Sequence, residues 1–244
     1  MKYYLILPLC LGVLMAHAQK TIVPNKKILG SDNLKNRQFD LDWNAIVGEN
    51  KMNIGTVHIN MLKNKDQFTV ITTTKIAKFP DKPWIDSSIC AIPSLTPIYH
   101  SSYNMQRDMV LHFGETISGY YLDKQKDSLT HISDTITSPY FDSNIYQWLI
   151  CLLPLQEGMN VNLPLYDYNP SKSGLMNATI TQIVKGEYIS PVSGSHKVWI
   201  VHTEDDLSGS TNKLVFYIDQ KEHTLWKMEA TVGNRKIEQV LHEK

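Results

Sequence analysis

The sequence predicts a mainly β protein: a single antiparallel sheet curled into an open half-barrel and interrupted by one short helix. Three observations predict it. Short runs that alternate apolar and polar residues recur from residue 38 onward, the breaks between them are rich in Gly, Asn, Asp and Pro, and a helical period occurs once, after Asp142. Many short strands at roughly even spacing are the pattern of a sheet that curls on itself to manage its edges. The chain of 244 residues, 42% hydrophobic and 20% charged, is long enough to bury a core, and no composition shift, repeat or low-complexity tract divides it.

The first eighteen residues read as an address. Lys2 supplies a positive start, residues 4–15 are almost wholly apolar, and Ala16-His17-Ala18 places small residues before a cleavage point at Gln19. An apolar run of about a dozen residues falls short of the roughly 20 that a membrane-spanning helix needs. Acylation at Cys10 is the alternative, but bulky Leu9 stands before it where a small residue is wanted. The reading is a signal peptide over 1–18, a polar arm over 19–37 and one β-rich domain over 38–244, exported to the periplasm or cell envelope.

Along the domain, Phe39, Leu41 and Trp43 alternate with Asp40 and Asp42, and residues 56–61 alternate in the same way. Residues 67–77 are rich in β-branched side chains, and Asn64-Lys65-Asp66 before them suits a hairpin turn. The stretch 78–106, with Pro80, Pro83, Pro93 and Pro97, reads as a loop entering an edge strand at 98–103. Strands follow at 109–113, 115–122 and 128–132. Ile145, Trp148, Leu149 and Leu152 then fall at helical spacing, with Asp142 or Ser143 as cap and Pro154 as terminator, a helix of about ten residues. Strands resume at 161–165, 175–189, 197–203, 213–219, 225–232 and 236–242, with a loop at 166–174.

The chemistry is marked by what is missing. Lys and Arg number 24 against 24 Asp and Glu, and loss of residues 1–18 removes only Lys2, so no basic surplus addresses nucleic acid. His58, His100, His112, His131, His196, His202, His223 and His242 are scattered over different strands, and no H-E-x-x-H, C-x-x-C or EF-hand loop occurs. His196 and His202 share parity, yet six residues of extended chain separate them by about 20 Å. Ser193-Gly194-Ser195-His196 lacks the glycine spacing of a nucleophile elbow and has the composition of a hairpin turn. Glu204-Asp205-Asp206 gathers three carboxylates that a calcium ion would use, though an exposed hairpin tip explains them. Asn177-Ala178-Thr179 is a glycosylation sequon of relevance in a secretory pathway.

Cys90 and Cys151 remain after cleavage of the leader. Pairing them closes a loop of about 60 residues, worth on the order of 4 kcal/mol on the chain-entropy view. Two separate buried thiols are the preferred reading, because Cys151 sits between Ile150 and Leu152 as a small hydrophobe.

Residues 153–158 (Leu-Pro-Leu-Gln-Glu-Gly) after a short helix, Val184-Lys185-Gly186-Glu187 running to Val192-Ser193-Gly194, and Tyr217-Ile218-Asp219 before Leu225-Trp226-Lys227-Met228-Glu229 resemble a bacterial envelope family of uncharacterised domains. Phe39 to Trp43 and Ile54-Gly55-Thr56-Val57 resemble that family's opening hairpin, while 78–106 departs from its pattern. The resemblance implies a fold like the lipoprotein carriers LolA and LolB and carries no active-site residue. Trp43, Trp84, Trp148, Trp199, Trp226, Tyr120, Tyr121, Tyr140, Tyr146, Tyr166, Tyr168 and Tyr217 are then expected to line the concave face or the core. An acyl chain of about fifteen methylenes buried there contributes a gross ~12 kcal/mol. The functional expectation is a non-enzymatic envelope protein that binds an apolar ligand, a lipid or a lipoprotein acyl chain, with no catalytic residue, metal or cofactor. The alternatives are an assembly protein that meets an envelope partner through a sheet edge, and a hydrolase built from distant residues.

Overall fold

The computed structural model describes residues 20–25, 30, 33–207 and 209–243. The predicted leader, Cys10 and parts of the polar arm lie outside the described residues.

Sixteen strands form one sheet. They are β1 (Lys20–Thr21), β2 (Arg37–Val47), β3 (Asn50–Lys63), β4 (Gln67–Ile76), β5 (Phe79–Ala91), β6 (Thr96–Tyr103), β7 (Arg107–His112), β8 (Ile117–Asp123), β9 (Ser128–Asp134) and β10 (Phe141–Asp142). After helix α1 (Tyr146–Leu152) come β11 (Val161–Asn169), β12 (Lys172–Ser190), β13 (Gly194–Asp205), β14 (Asn212–Asp219), β15 (Leu225–Val232) and β16 (Arg235–Leu241). The order across the sheet is β1-β11-β12-β13-β14-β15-β16-β2-β3-β4-β5-β6-β7-β8-β9, with β10 also on β11. The last strand therefore pairs with β2 near the middle of the sheet.

This architecture corrects the predicted half-barrel in two respects. The strand path is a single open line, and no pair among the described residues joins β9 to its far end. The sheet is also mixed, because β1 and β10 both run parallel to β11 while the other pairs are antiparallel. The face expected to stand open as a concavity is occupied. Tyr146, Trp148, Leu149, Ile150 and Cys151 of α1 are all buried, leaving only Gln147 and Leu152 partly exposed, and a helix apolar nearly all round is a core helix. Its side chains pack with Leu41, Val57, Ile59, Phe68 and Val70 from one part of the sheet and Leu163, Ile180, Val201 and Phe216 from another. Phe39 meets Trp148 edge to face at 5.7 Å, and the Tyr146 hydroxyl donates to Thr203 Oγ1 at 2.6 Å. The burial that was to accommodate a ligand is supplied by the protein itself.

Alternation works as expected in β3, where Val57, Ile59 and Met61 are buried and Thr56, His58 and Asn60 are not. The hairpin before β4 is held by the Asn64 side chain, whose oxygen accepts the backbone N–H groups of Asp66 at 2.9 Å and Gln67 at 2.7 Å. Asp142 caps a short 3-10 turn (Ser143–Ile145) that leads into α1, and together they make the predicted helical segment.

Residues 78–106 are the main departure. They form two long paired strands, β5 and β6, and β6 lies inside the sheet between β5 and β7 rather than at its edge. The free edge is β9. Pro80 and Pro83 are tolerated because β5 pairs with β6 only over Ile85 to Ala91, so the missing N–H groups fall where one neighbour is absent. The predicted 166–174 loop is likewise shorter, since β11 and β12 stay paired out to Asn169 and Lys172.

Both cysteines are free and buried, and burial pushes the Cys151 thiol up to about 12. Among the described residues no helix is long and apolar enough to cross a membrane.

Candidate functional site: a polar cleft at the start of the helix

The inner face of β5 carries Trp84, Asp86 and Ser88 in alternate positions. Register with β6 sets Ser102 opposite Asp86 and His100 opposite Ser88, and β7 adds Arg107. Polar side chains thus stand where β3 and β4 present Val, Ile and Phe. Burial without hydrogen bonds costs several kcal/mol per group, so each must find a partner.

Asp142, fully buried, is the hub. Its carboxylate accepts from His100 Nδ1 at 3.0 Å, from the Ser88 hydroxyl and from the Asn144 backbone N–H at 3.2 Å. Asn144 Nδ2 donates to Ser88 Oγ at 2.8 Å. Burial works against charge on His100, but the adjoining Asp142 carboxylate, with Asp86 and Asp167 nearby, outweighs it and holds the imidazole above its ordinary value. Burial pushes Asp86 above the usual carboxylate range in spite of Ser102, His100, Arg107 and Trp84. Asp167 is raised for the same reason, although it accepts from Ser143 Oγ at 2.6 Å.

Asp86 and Asn144 of this cluster line a cavity of about 210 Å³. Trp43, Trp84 and Trp148 form its aromatic walls, with Val57 and Ile59 between them. Thr72, Thr74, Asp86, Asn144, Gln147 and Gln239 supply its polar groups. Trp84 is fixed on two sides: its N–H donates to Asp86 Oδ1 at 3.0 Å and Ser102 Oγ at 3.1 Å, and the Arg107 guanidinium lies 5.5 Å from its ring centre. Gln147 Nε2 donates to Gln239 Oε1 at 3.2 Å, and the second polar atom of each amide has no hydrogen-bond partner among the described residues. The Trp43 N–H is buried with no partner among the described residues.

The hydrogen-bond order differs from that of a nucleophile triad. In a nucleophile triad the imidazole stands between hydroxyl and carboxylate and takes the hydroxyl proton. Here the carboxylate stands between them, and the Ser88 hydroxyl donates its hydrogen bond to Asp142 rather than to the imidazole. A second Ser-His-carboxylate group has the wrong order too: the Ser193 hydroxyl donates to Glu243 and meets His196 Nε2 at 2.7 Å, on an exposed hairpin with no cavity. Ser195 donates to Glu187 instead.

Of the remaining residues singled out by sequence, His58 and His242 line one open pocket with Asp40 and Asp42, and the others are dispersed. His58 pairs with Asp40 at 2.6 Å and His242 with Asp42 at 3.2 Å on the solvent side of β2, while His223 Nδ1 reaches the Cys151 carbonyl at 2.7 Å. His196 stacks on Trp226 at 3.9 Å, and His112 lies 5.3 Å from Tyr99. No group of three His, Cys, Asp or Glu among the described residues could hold a metal ion. The three neighbouring carboxylates diverge: Glu204 faces Lys213, Asp206 faces Lys172, and Asp205 is buried, accepting from Asn212 Nδ2 at 2.7 Å. The expected aromatic lining divides as well, with Tyr146 in the main core, Tyr166 in a smaller cluster with Met109, Leu111, Ile117 and Ile132, and Trp226 packed with Tyr188. A larger cavity of about 440 Å³, lined by Leu34, Phe39, Met61 and Leu225, lies beside the end of α1, where Arg37 Nη2 donates to the Glu222 carbonyl at 2.7 Å.

Asp86, Ser88, His100 and Asp142 had not been assembled from sequence. One signal was present: Trp84, Asp86, Ser88 and Cys90 keep a strand's parity through a stretch that its prolines disguise.

Among the described residues, an open mixed sheet with one buried helix and a buried polar cluster beside a cavity defines a β-sheet domain. A solved structure of the same general fold is the crystal structure of a beta-barrel-like protein of domain of unknown function DUF1849 from Brucella abortus. It matches with a TM-score of 0.51 at 10% identity, covering 86% of this chain and 97% of that one. The chain belongs to the family described as protein of unknown function DUF3108, which it matches over residues 38–240. No curated protein matches it. The family assignment replaces the predicted kinship with lipoprotein carriers, since the open strand path gives no LolA- or LolB-type half-barrel. With that fold goes the expected acyl-chain site on its concave face.

Proposed function

We propose that this chain is an exported, non-catalytic recognition domain that takes a small polar ligand in the cleft beside Trp84 and Asp86. One observation carries the reading. Polar groups from β4, β5, β16 and the helical segment converge on a single cavity with hydrogen-bonding capacity to spare, while the nearby serine is committed to a carboxylate. Convergent polar groups among aromatic walls are the usual character of a small-molecule site. The absence of a hydroxyl-imidazole-carboxylate order supports binding over hydrolysis. Export is supported by the charge, apolar run and small residues of positions 1–18.

Thermal-shift screening of the mature protein against a library of polar metabolites tests the ligand reading. A saturable rise in Tm that disappears in Asp86→Leu is the expected result, because a ligand that binds only the folded state stabilises it by mass action. No shift by any compound, or a shift that Asp86→Leu leaves intact, contradicts it. Export is checked by N-terminal sequencing of protein expressed with its leader: mature chains should begin at Gln19, and chains retaining residues 1–18 in the cytoplasm would overturn that part.

A further inference from the structure

Resting on that reading, we propose that the ligand is a neutral saccharide, recognised as a single pyranose ring, either free or at the end of a glycan. The class follows from three properties of the cleft. The first is its mixture of surfaces. A pyranose presents apolar C–H faces and a rim of hydroxyls, so it needs flat apolar walls together with groups that donate and accept around the edge. Trp43, Trp84 and Trp148 provide the walls, and Thr72, Gln147 and Gln239 stand among the groups at the rim.

The second property is the number of polar groups left for the ligand. Gln147 and Gln239 spend one bond on each other and retain a carbonyl oxygen and an NH2. The Thr72 and Thr74 hydroxyls also line the space, and Asp86, engaged by the Trp84 N–H and the Ser102 hydroxyl, brings a carboxylate to it. A ligand with one or two polar atoms would bury most of these unpaired, which is costly, whereas a polyol can answer each of them.

The third property is charge and size. Asp86 is the one charged residue among the described residues that line the cavity, and it is negative. An anionic sugar, phosphate or carboxylate would be repelled. The cavity of about 210 Å³ offers the space of roughly seven water molecules, which suits one hexose ring and not a chain. Trp84, held at its N–H by Asp86 and Ser102 and over its ring by Arg107, is set in place before any ligand arrives.

Calorimetry and tryptophan emission on the mature protein test this with two panels. One holds methyl glycosides of neutral hexoses and N-acetylhexosamines with their short oligosaccharides; the other holds amino acids, dipeptides, nucleosides and choline. The expected result is saturable binding of at least one member of the first panel at about millimolar concentration or below. Gln147→Leu on α1 and Thr72→Val on β4 should each weaken it about tenfold while leaving Tm within a few degrees. A glycan-end ligand binds as the oligosaccharide at least as well as the free ring; a free-sugar ligand binds only as the monosaccharide. Sugar binding that neither variant weakens overturns the assignment. Binding from the second panel alone, weakened by both variants, overturns the saccharide and leaves the recognition reading standing. Silence from both panels overturns both.

Discussion

The inner face of the sheet is of two kinds. Beneath α1, strands β2 to β4 and β11 to β14 present Leu41, Val57, Ile59, Val70, Leu163, Ile180 and Phe216, and the helix buries them. One strand further on, β5 to β7 keep the same alternation but place Asp86, Ser88, His100, Ser102 and Arg107 on the corresponding face. The first region is explained by burial alone, at about 25 cal/mol per Å² of apolar surface. The second also buries Met109 and Leu111 of β7, but its Asp, Ser, His and Arg side chains hold there because they satisfy one another. Stability does not require that arrangement, since well-packed apolar residues commonly replace a buried polar cluster at no loss. The contrast is the ground on which the proposed binding role of the second region rests.

Breaking one partner in each region tests the contrast. The largest effect is expected at the hub: Asp142→Ala leaves His100 and Ser88 buried without their acceptor and should cost about 3–5 kcal/mol by urea unfolding. Asp142→Asn, which keeps an acceptor, should cost clearly less. In the apolar region, Leu149→Ala, fully buried under the sheet, should cost about 3 kcal/mol through lost burial and the cavity left behind. A loss below about 1 kcal/mol at Asp142 with the full loss at Leu149 would erase the distinction.

The pH response separates the regions further. His100 has its folded value raised, so the stability it contributes is complete below its ordinary value and is lost as pH rises through the folded one. Asp86 and Asp167 are also raised and act in the same direction at lower pH. The protein should therefore be more stable at about pH 6 than at about pH 8. His100→Gln should flatten that difference, and Leu149→Ala should leave it unchanged. An unaltered pH dependence in His100→Gln would assign the effect elsewhere.

Legibility in the sequence follows the same division. Strands β3 and β4, the Asn64 turn and the helix marked by Ile145, Trp148, Leu149 and Leu152 were readable because side-chain alternation, turn chemistry and helical period agreed there. Strand β5 was not, because Pro80 and Pro83 are strong local breakers and only the absence of a β6 neighbour beside them makes them harmless. The polar cluster was hidden for a related reason: Asp86 and Ser88 look solvent-facing until the register with Ser102 and His100 supplies their partners. The half-barrel failed on long-range grounds. Local alternation says which residues face inward, but nothing local specifies that β16 pairs with β2 or that two-residue strands β1 and β10 run parallel to β11.

If the polar region serves binding at some expense in stability, the two properties should separate at Asp86. Asp86→Asn keeps an acceptor for the Trp84 N–H while removing a carboxylate that burial disfavours. Paired measurements of unfolding free energy and of ligand binding on this variant should show stability at pH 7 raised by about 0.5–1 kcal/mol together with weakened binding. Loss of stability with binding intact would make Asp86 a structural residue and contradict the account.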